Sequence, residues 1–213
     1  MHYVLLGPPA SGKGTQGRRI ATKYGLHYLS TGALLREAVE NQTPLGLAAE
    51  PILDRGGYLP DDLISPILAE WLEEVSDSKG WVIDGFPRTI GQAKFLDQWL
   101  CDHDQILNSA IALEAPFESL IERTQGRVEC PDCRWSGQRK ELSESQCPEC
   151  GGNAEPRSDD TEENFRCRHA EFVENTIPVI DFYRQTDRLV AVPAIGTREA
   201  TTSIILSNLE SRS

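Results

Sequence analysis

The chain has 213 residues, a formal net charge of −12 at pH 7 and an apolar fraction of 39%. This length suits one sizeable domain or one domain with inserts, and the apolar share is enough for a core. The acidic balance argues against a general surface for nucleic acid or anionic membrane, which requires clustered basic charge. The N-terminus has no signal-peptide pattern, and no apolar run approaches the ~20 residues that span a bilayer. We therefore expect a cytoplasmic protein that binds neither nucleic acid nor membranes, with reduced or metal-bound cysteines.

Apolar runs alternate with helical patterns along the chain, and this alternation predicts an α/β fold with a parallel sheet. The predicted strands are Tyr3–Leu6, His27–Leu29, Trp81–Ile83, Ala110–Leu113 and Leu189–Val192. The predicted helices are Thr15–Tyr24, Ile64–Val75, Ile90–Leu100, Phe117–Thr124, Glu162–Thr186 and Thr201–Glu210. Pro178 should kink or split the longest of these helices, because proline lacks an N–H and crowds the preceding turn.

Two stretches interrupt this alternation. Residues 30–59 have helical patterns but few strand patterns, and Ser30-Thr31-Gly32 is typical of a helix N-terminus. Residues 127–157 carry paired cysteines, glycines and prolines, with little apolar periodicity. We expect both stretches to form lobes that project from the core sheet.

A glycine-rich loop, residues 7–15 (Gly-Pro-Pro-Ala-Ser-Gly-Lys-Gly-Thr), separates the first predicted strand from the first predicted helix. This order of strand, glycine loop, lysine and helix is the context of a phosphate-binding P-loop. Glycines let backbone N–H groups turn inward around an anion, and the helix start and Lys13 add positive charge. Gly14 stands where Ser or Thr is usual, and Thr15 follows it. The alternative is a surface loop that happens to contain a lysine.

A second phosphate signal, Asp84-Gly85-Phe86-Pro87-Arg88, directly follows the third predicted strand. Ligands in open α/β sheets bind beyond the carboxyl ends of the strands. A carboxylate and an arginine at that edge suit a phosphate site. An ordinary turn with a surface Asp–Arg pair is the alternative, and the neighbouring P-loop argues against it.

Two C-x-x-C pairs, Cys130/Cys133 and Cys147/Cys150, are separated by thirteen residues. Two such pairs can present four thiolates tetrahedrally to one Zn²⁺, and four protein ligands indicate a structural metal. The polar segment between them cannot fold by core burial alone, so a metal would take the place of a core. A pair of redox motifs and a lobe that has lost its metal are the alternatives. A nucleic-acid-binding zinc ribbon is disfavoured because acidic residues cancel the local basic charge.

Taken together, these motifs resemble the adenylate kinase family in its long-lid, zinc-bearing bacterial form, over essentially the whole chain. The motifs that carry the resemblance are Gly7–Gln16, Ser30–Gly32 with Arg36, Asp84–Thr89 with Gln92, Glu122–Arg123, Gly126–Val128, the four cysteines, and Arg157–Asp160 with Arg168. The family transfers the terminal phosphoryl group of ATP to AMP, giving two ADP, with Mg²⁺.

The resemblance implies an α/β fold built on a P-loop NTPase-type parallel sheet of about five strands flanked by helices. It implies a core of residues 1–29, 60–126 and 161–213. Residues 30–59 would form the lobe that closes on AMP, and residues 127–160 the zinc-ribbon-like lid that closes on ATP. The chain would act as a monomer on small nucleotides.

The resemblance also implies roles for individual residues. Those around the transferring phosphoryl group would be Lys13, Arg88, Arg123, Arg157 and Arg168. Those that hold ATP would be Gly12, Lys13, Gly14, Thr15, Arg123 and Arg127. Those that hold AMP would be Thr31, Arg36, Gly85, Arg88, Gln92, Arg157 and Arg168. Zinc would be held by Cys130, Cys133, Cys147 and Cys150, and Asp84 would orient Mg²⁺ through water.

The chain departs from the family pattern in places, most visibly at Ala33, where an Asp is frequent, and in a shortened loop between the cysteine pairs. These departures bear on rate and lid geometry more than on the reaction. Two other functions are considered: a kinase for another nucleoside monophosphate, and a non-catalytic nucleotide sensor. Several mutually repelling cations in one site favour an enzyme over a sensor.

Overall fold

The computed structural model of the chain describes residues 1–142, 144–157 and 159–212. Ser143 and Ser158 of the predicted lid and Ser213 of the predicted core lie outside the described residues. The strands are β1 (His2–Leu6), β2 (His27–Ser30), β3 (Trp81–Asp84), β4 (Ser109–Glu114), β5 (Arg127–Glu129), β6 (Ser136–Gln138), β7 (Glu155–Pro156) and β8 (Leu189–Pro193).

Five of these strands form a parallel sheet in the order β2-β3-β1-β4-β8. They are the five predicted strands, and no strand end is displaced by more than one residue. The other three form a small antiparallel sheet, β6-β5-β7, within the cysteine-bearing segment. The predicted α/β class and parallel sheet are confirmed.

The helices are α1 (Lys13–Tyr24), α2 (Thr31–Glu40), α3 (Pro44–Leu53), α4 (Asp61–Glu74), α5 (Ile90–Asp102), α6 (Phe117–Gln125), α7 (Glu162–Glu171), α8 (Ile177–Gln185) and α9 (Arg198–Glu210). Three begin earlier than their apolar patterns predicted, because their first turns are polar. In α4 that turn carries Asp61 and Asp62, whose charges suit a helix N-terminus. Among the described helices, none combines the length and the apolarity that a membrane span requires.

The predicted split near Pro178 is confirmed. A π-helical turn, Phe172–Thr176, separates α7 from α8, and the Ile177 N–H donates to the Phe172 carbonyl. The wider turn lets the chain enter α8 next to a proline that has no N–H to donate. It also turns the Thr176 hydroxyl to donate to the Arg88 carbonyl at 3.1 Å, which fastens this helix junction to the loop after β3.

Apolar layers cover both faces of the five-stranded sheet, which explains why its strands read as continuous apolar runs. Val4 and Ile83 pack into one layer, and Leu5 and Val82 into the other. Leu5 pairs with Asp84 in the parallel register of β1 and β3. The glycine loop and the Asp84 turn therefore leave the sheet side by side at its carboxyl edge.

Gly17 on α1 lies against the sheet with no space for a side chain. A Cβ atom there would lie 2.5 Å from the Tyr28 ring and 2.7 Å from Leu5. We expect Gly17→Ala to lower the free energy of unfolding by about 1 kcal/mol, since overpacking costs ~1–3 kcal/mol and outweighs the gain in helix propensity. Urea unfolding would measure this, with Thr22→Ala on the exposed face of α1 as the matched control. Equal stability of the two variants would contradict the expectation.

Candidate active site

A cleft of about 1090 Å³ opens at the carboxyl edge of the five-stranded sheet, between α2 and the small antiparallel sheet. Most of the residues predicted to bind phosphate line it. They are Gly12, Lys13, Gly14, Thr15, Arg36, Gly85, Arg88, Arg123, Arg127, Arg157 and Arg168. Thr31 and Gln92 lie outside this lining and instead line a small recess that shares Tyr58, Gly85 and Arg88 with the cleft.

The glycine loop takes left-handed backbone conformations that shape it around a hollow. Gly7 has φ 143° and Gly12 has φ 99°, both values that glycine adopts without a steric penalty. A Cβ on Gly7 would lie 2.7 Å from the Leu113 carbonyl oxygen, so the loop must also be bare where it leaves β1. Lys13 follows at the start of α1 and donates to the carbonyls of Gly7 and Pro8, each at 2.8 Å.

The Lys13 side chain places an ammonium group at the glycine loop, in a buried and therefore desolvated position. Burial lowers the pKa of Lys13 to about 8, the Asp84 carboxylate opposes the shift, and Arg88 and Arg127 add to it. An ammonium under this pressure has much to gain from a bound anion, because a phosphate supplies the opposing charge that burial withholds. The loop and its lysine can therefore bind a polyphosphate.

The arginines on the other side of the cleft are paired with carboxylates. Arg157 donates to both oxygens of Asp159, at 3.0 and 2.8 Å, and Arg168 donates to the same carboxylate at 2.6 Å. Arg127 donates to Asp160 in the same bidentate manner. Burial alone would raise the pKa of the Asp159 carboxyl, but the two arginines hold it well below its usual range. The carboxylates offset the repulsion between these like charges.

Arg36 has an unsatisfied donor. Its Nε is buried and has no hydrogen-bond partner, while its Nη2 lies 3.3 Å from Glu129. Burial lowers the pKa of Arg36, and the neighbouring Arg157 lowers it further. A buried guanidinium N–H without an acceptor carries a desolvation penalty that a phosphate oxygen would relieve.

Arg88 is fixed by the turn that carries it. Its Nε donates to the Gly85 carbonyl at 2.7 Å, and its guanidinium lies 4.6 Å from the centre of the Tyr58 ring. Gly85 has φ 89°, and a Cβ there would lie 2.5 Å from the Thr31 hydroxyl. Glycine at this position therefore brings the Arg88 and Thr31 side chains together.

Gln92 is 2% exposed, and its amide already has two partners. Its Oε1 accepts from the Arg88 N–H at 2.7 Å, and its Nε2 donates to Asp61 at 2.8 Å. One N–H and one lone pair of the amide are left over, the pair of groups that a purine edge can use. The sequence did not indicate Asp61 or Tyr58 as parts of the site, because both reach it only through packing of the segment around 58–61 on the loop after β3.

Arg123 occupies a separate part of the cleft. Its Nη2 donates to the Ala194 carbonyl at 2.7 Å, in the loop after β8, and the next residue, Ile195, is 63% exposed. Asp84, at 9% exposure, accepts from the Tyr28 hydroxyl at 3.3 Å. A carboxylate next to the glycine loop and an arginine of α6 are thus both held by hydrogen bonds within the protein.

The four paired cysteines come together in turns next to the small antiparallel sheet. All four Sγ atoms lie within 4.8 Å of one another, with Cys130–Cys150 and Cys133–Cys147 each at 3.5 Å. A tetrahedral zinc site with Zn–S bonds of about 2.3 Å has S–S edges of about 3.8 Å, so this arrangement can hold the ion. Each pair makes the same turn. The fifth residue of the turn, Arg134 or Gly151, donates its N–H to the backbone carbonyl of the first cysteine at 2.9 Å.

A glycine loop at the edge of a parallel sheet, with a basic cleft between α2 and the small antiparallel sheet, defines a P-loop nucleotide-binding protein. The family model described as adenylate kinase matches residues 5–188. Adenylate kinases of Thermodesulfovibrio yellowstonii and Kosmotoga olearia are 38% and 37% identical to the chain, with 100% and 99% of both partners covered. That of Archaeoglobus fulgidus is 38% identical over 93% of the chain and 92% of its own length. The chain belongs to the adenylate kinase family.

The pKa of Lys13 predicts how nucleotide affinity depends on pH. Above about pH 8 the free protein loses the Lys13 proton, which a bound phosphate would favour keeping. We expect the affinity for Mg²⁺-ATP to fall about tenfold from pH 7 to pH 9, measured by calorimetry. Lys13→Arg keeps its charge over this range, so its weaker affinity should not fall. Parallel profiles for the two proteins would show that Lys13 does not titrate there.

Proposed function

We propose that the chain catalyses the reversible, Mg²⁺-dependent transfer of the terminal phosphoryl group of ATP to AMP, giving two ADP. The observation that carries this proposal is that the seven basic residues predicted for the site converge on a single cleft of an adenylate kinase family member. They are Lys13, Arg36, Arg88, Arg123, Arg127, Arg157 and Arg168. The expected role of the reaction is adenine nucleotide homeostasis.

The ATP phosphates lie in this proposal on Gly12, Lys13, Gly14 and Thr15, with Arg127 opposite them and Arg123 nearer the loop after β8. The shape of the glycine loop and the desolvated Lys13 support this placement. Arg127 is held by Asp160, and a guanidinium has five N–H donors, so it can keep that partner while it also binds phosphate.

AMP lies on the opposite side, with its phosphate on Arg36 and Arg88 and its base in the recess lined by Thr31 and Gln92. The unsatisfied Nε of Arg36 supports the phosphate position. The remaining donor and acceptor of the Gln92 amide support adenine recognition. Gly85 lies between the phosphate and base positions of this proposed site, where any side chain would collide with the Thr31 hydroxyl.

The chemistry needs charge neutralisation and alignment rather than a base. The nucleophile is a phosphate oxygen of AMP, which is already ionised at neutral pH. Lys13, Arg88, Arg123, Arg157 and Arg168 surround the transferring group and offset its charge with fixed donors. Arginine suits this role because its planar fork binds phosphate oxygens in pairs and stays protonated.

Mg²⁺ fits the site through the Asp84 carboxylate, which stands at the mouth of the glycine loop. The Asp84 Oδ2 atom lies 3.6 Å from the position that a Cβ on Gly14 would take. Asp84 would hold the hydrated ion. In the glycine loop, the hydroxyl that follows Lys13 most closely in the sequence is that of Thr15. Mg²⁺ supplies neutralisation of phosphate charge when bound. The Tyr28 hydroxyl bond keeps the carboxylate oriented.

Three segments divide the work in this proposal. Residues 1–29, 60–126 and 161–213 form the core, residues 30–59 close over AMP, and residues 127–160 form the lid over ATP. Closure excludes water, which would otherwise accept the phosphoryl group. We also propose that the chain is a monomer, because lobes that move need free surfaces. We place it in the cytoplasm, because the cysteine cluster has the geometry of a metal site rather than of disulfides.

Zinc in the proposed lid is structural. Four thiolates complete a tetrahedron and leave no open position for catalysis. Val128 and the two buried cysteines, Cys130 and Cys147, are among the few buried side chains of this segment. A metal would therefore supply the stability that a core of this size cannot.

Diphosphate formation tests the proposed reaction. The purified protein is mixed with Mg²⁺-ATP and, separately, AMP, GMP, CMP and UMP, and the products are separated by chromatography. We expect rapid ADP formation with AMP, and a loss of about 100-fold or more in Arg88→Ala, which removes a transition-state cation. Arg184→Ala, an exposed ion-pair residue of α8, is the matched control. Turnover with a different acceptor would overturn the roles of Thr31 and Gln92, and ATP binding without turnover would indicate a sensor.

Metal removal tests the structural zinc. A strong chelator should lower Tm by about 5 °C or more, since ~1 kcal/mol corresponds to about 2–4 °C in a chain of this size. Metal analysis and thermal scans would measure this, and Cys147→Ser should resemble the chelated protein. Cys101→Ser, at a lone exposed cysteine, is the control. Purified protein that contains no zinc and gains no stability from added zinc would refute the structural metal.

A further inference from the structure

Four charged side chains of alternating sign cross the cleft between α2 and the proposed lid. Arg134 contacts both oxygens of Glu40, with Nη2 at 2.6 Å and Nη1 at 3.2 Å. The Nη1 atom of Arg134 lies 3.7 Å from Glu129, and Glu129 in turn lies 3.3 Å from Arg36. The order Glu40–Arg134–Glu129–Arg36 places opposite charges next to one another at every step. We call these four residues the ion ladder.

The ion ladder joins α2 to the cysteine-bearing segment, and each of the two contributes two of its residues. Arg36 and Glu40 are four residues apart on α2, so they lie on one face of that helix. Glu129 ends β5, and Arg134 follows the first cysteine pair. The Glu129 side chain is 10% exposed and that of Arg134 is 22% exposed, but the Glu40 side chain at the outer end of the ladder is 56% exposed. Screening by salt is therefore weaker for the Glu129 contacts than for the Glu40–Arg134 pair.

Arg134 occupies a backbone position that favours glycine. Its φ is 59°, and the equivalent residue of the second cysteine turn is Gly151, with φ 77°. Both donate their N–H to the backbone carbonyl of the first cysteine of their turn at 2.9 Å. A side chain in this left-handed conformation carries a conformational cost that Gly151 avoids. An arginine at this position therefore contacts α2 although glycine would suit the backbone conformation better.

The inner end of the ladder reaches the proposed phosphate-binding residues. Glu129 lies between Arg36 and Arg157, 3.3 Å from the former and 3.6 Å from the latter. Arg36 is a proposed AMP ligand, and Arg157 a proposed ligand of the transferring group. At the other side, the Arg134 carbonyl accepts from Arg18 of α1 at 3.1 Å, so the same turn is also fastened to the core.

We propose that Glu40, Glu129 and Arg134 are positioning residues that couple the two nucleotide sites, so that ATP binding under the lid raises the affinity for AMP. When the lid closes, Arg134 and Glu129 draw α2 toward the cleft and orient Arg36 for the AMP phosphate. By thermodynamic reciprocity, AMP raises the affinity for ATP by the same factor. This inference rests on the proposed function, because it assigns the two lobes to ATP and AMP.

The test measures that coupling factor directly. The AMP dissociation constant of the full chain is measured by calorimetry with and without a saturating, non-hydrolysable Mg²⁺-ATP analogue, and the ratio is the coupling factor. We expect Glu40→Gln and Arg134→Gln each to lower the factor by about two- to fivefold, the range of a partly exposed ion pair. The double variant should lose no more than Arg134→Gln alone, because that change already breaks the contact that Glu40→Gln breaks.

Controls separate coupling from general damage. Arg134→Lys keeps the charge and should retain part of the coupling, and Arg184→Gln breaks an ion pair confined to α8 and should leave the factor unchanged. Tm and zinc content are measured for every variant. If Arg134→Gln loses zinc, Glu40→Gln decides the test, because Glu40 lies on α2 outside the cysteine-bearing segment.

The outcomes are distinguishable from failure of the proposed function. A wild-type protein that forms no ADP from ATP and AMP would fail the proposed function. A wild-type coupling factor near one, or less than a twofold decrease in Glu40→Gln with turnover intact, would overturn the ion ladder alone. A decrease of twofold or more in both single variants, without a further decrease in the double variant, would support it.

Discussion

Repulsion between like charges is the constraint on which this cleft depends. A chain with a net charge of −12 gathers two lysines and ten arginines around one cleft, where burial weakens the screening by water. Carboxylates in and next to the cleft offset that repulsion. Asp159 is shared by two arginines and Asp160 holds a third, while Glu129 lies within 3.7 Å of three arginines, one of which also contacts Asp159. The paired carboxylates therefore allow these basic side chains to stand close together.

The parallel sheet provides the fixed edge on which these charges are arranged. Because β1 and β3 are neighbours in register, the glycine loop and the Asp84 turn leave the sheet together. Lys13 and Arg88 thus start from a rigid base, whereas Arg36 and Arg127 are carried by elements outside the large sheet. The basic side chains of the cleft are therefore divided between the edge of the large sheet and elements outside it.

Most of the fold could be predicted because its signals are local. The three central strands of the large sheet are short apolar runs buried on both faces. The break near Pro178 follows from a missing N–H. Helix starts were less accurate, as at Asp61, because a polar first turn leaves no apolar pattern. The family, and with it the reaction, followed from ordered motifs. The roles of individual residues and the lobe boundaries stay predictions.

The sequence by itself determined the strands, the glycine loop, the cysteine pairs and the family, since each depends on residues close together in the chain. Only the tertiary structure decided which charges face one another. Asp61 supports Gln92, and Glu40 meets Arg134 across 94 residues of chain. Such contacts leave no periodic or spaced pattern, because a long-range ion pair requires only that two surface charges be brought together by the packing of other residues.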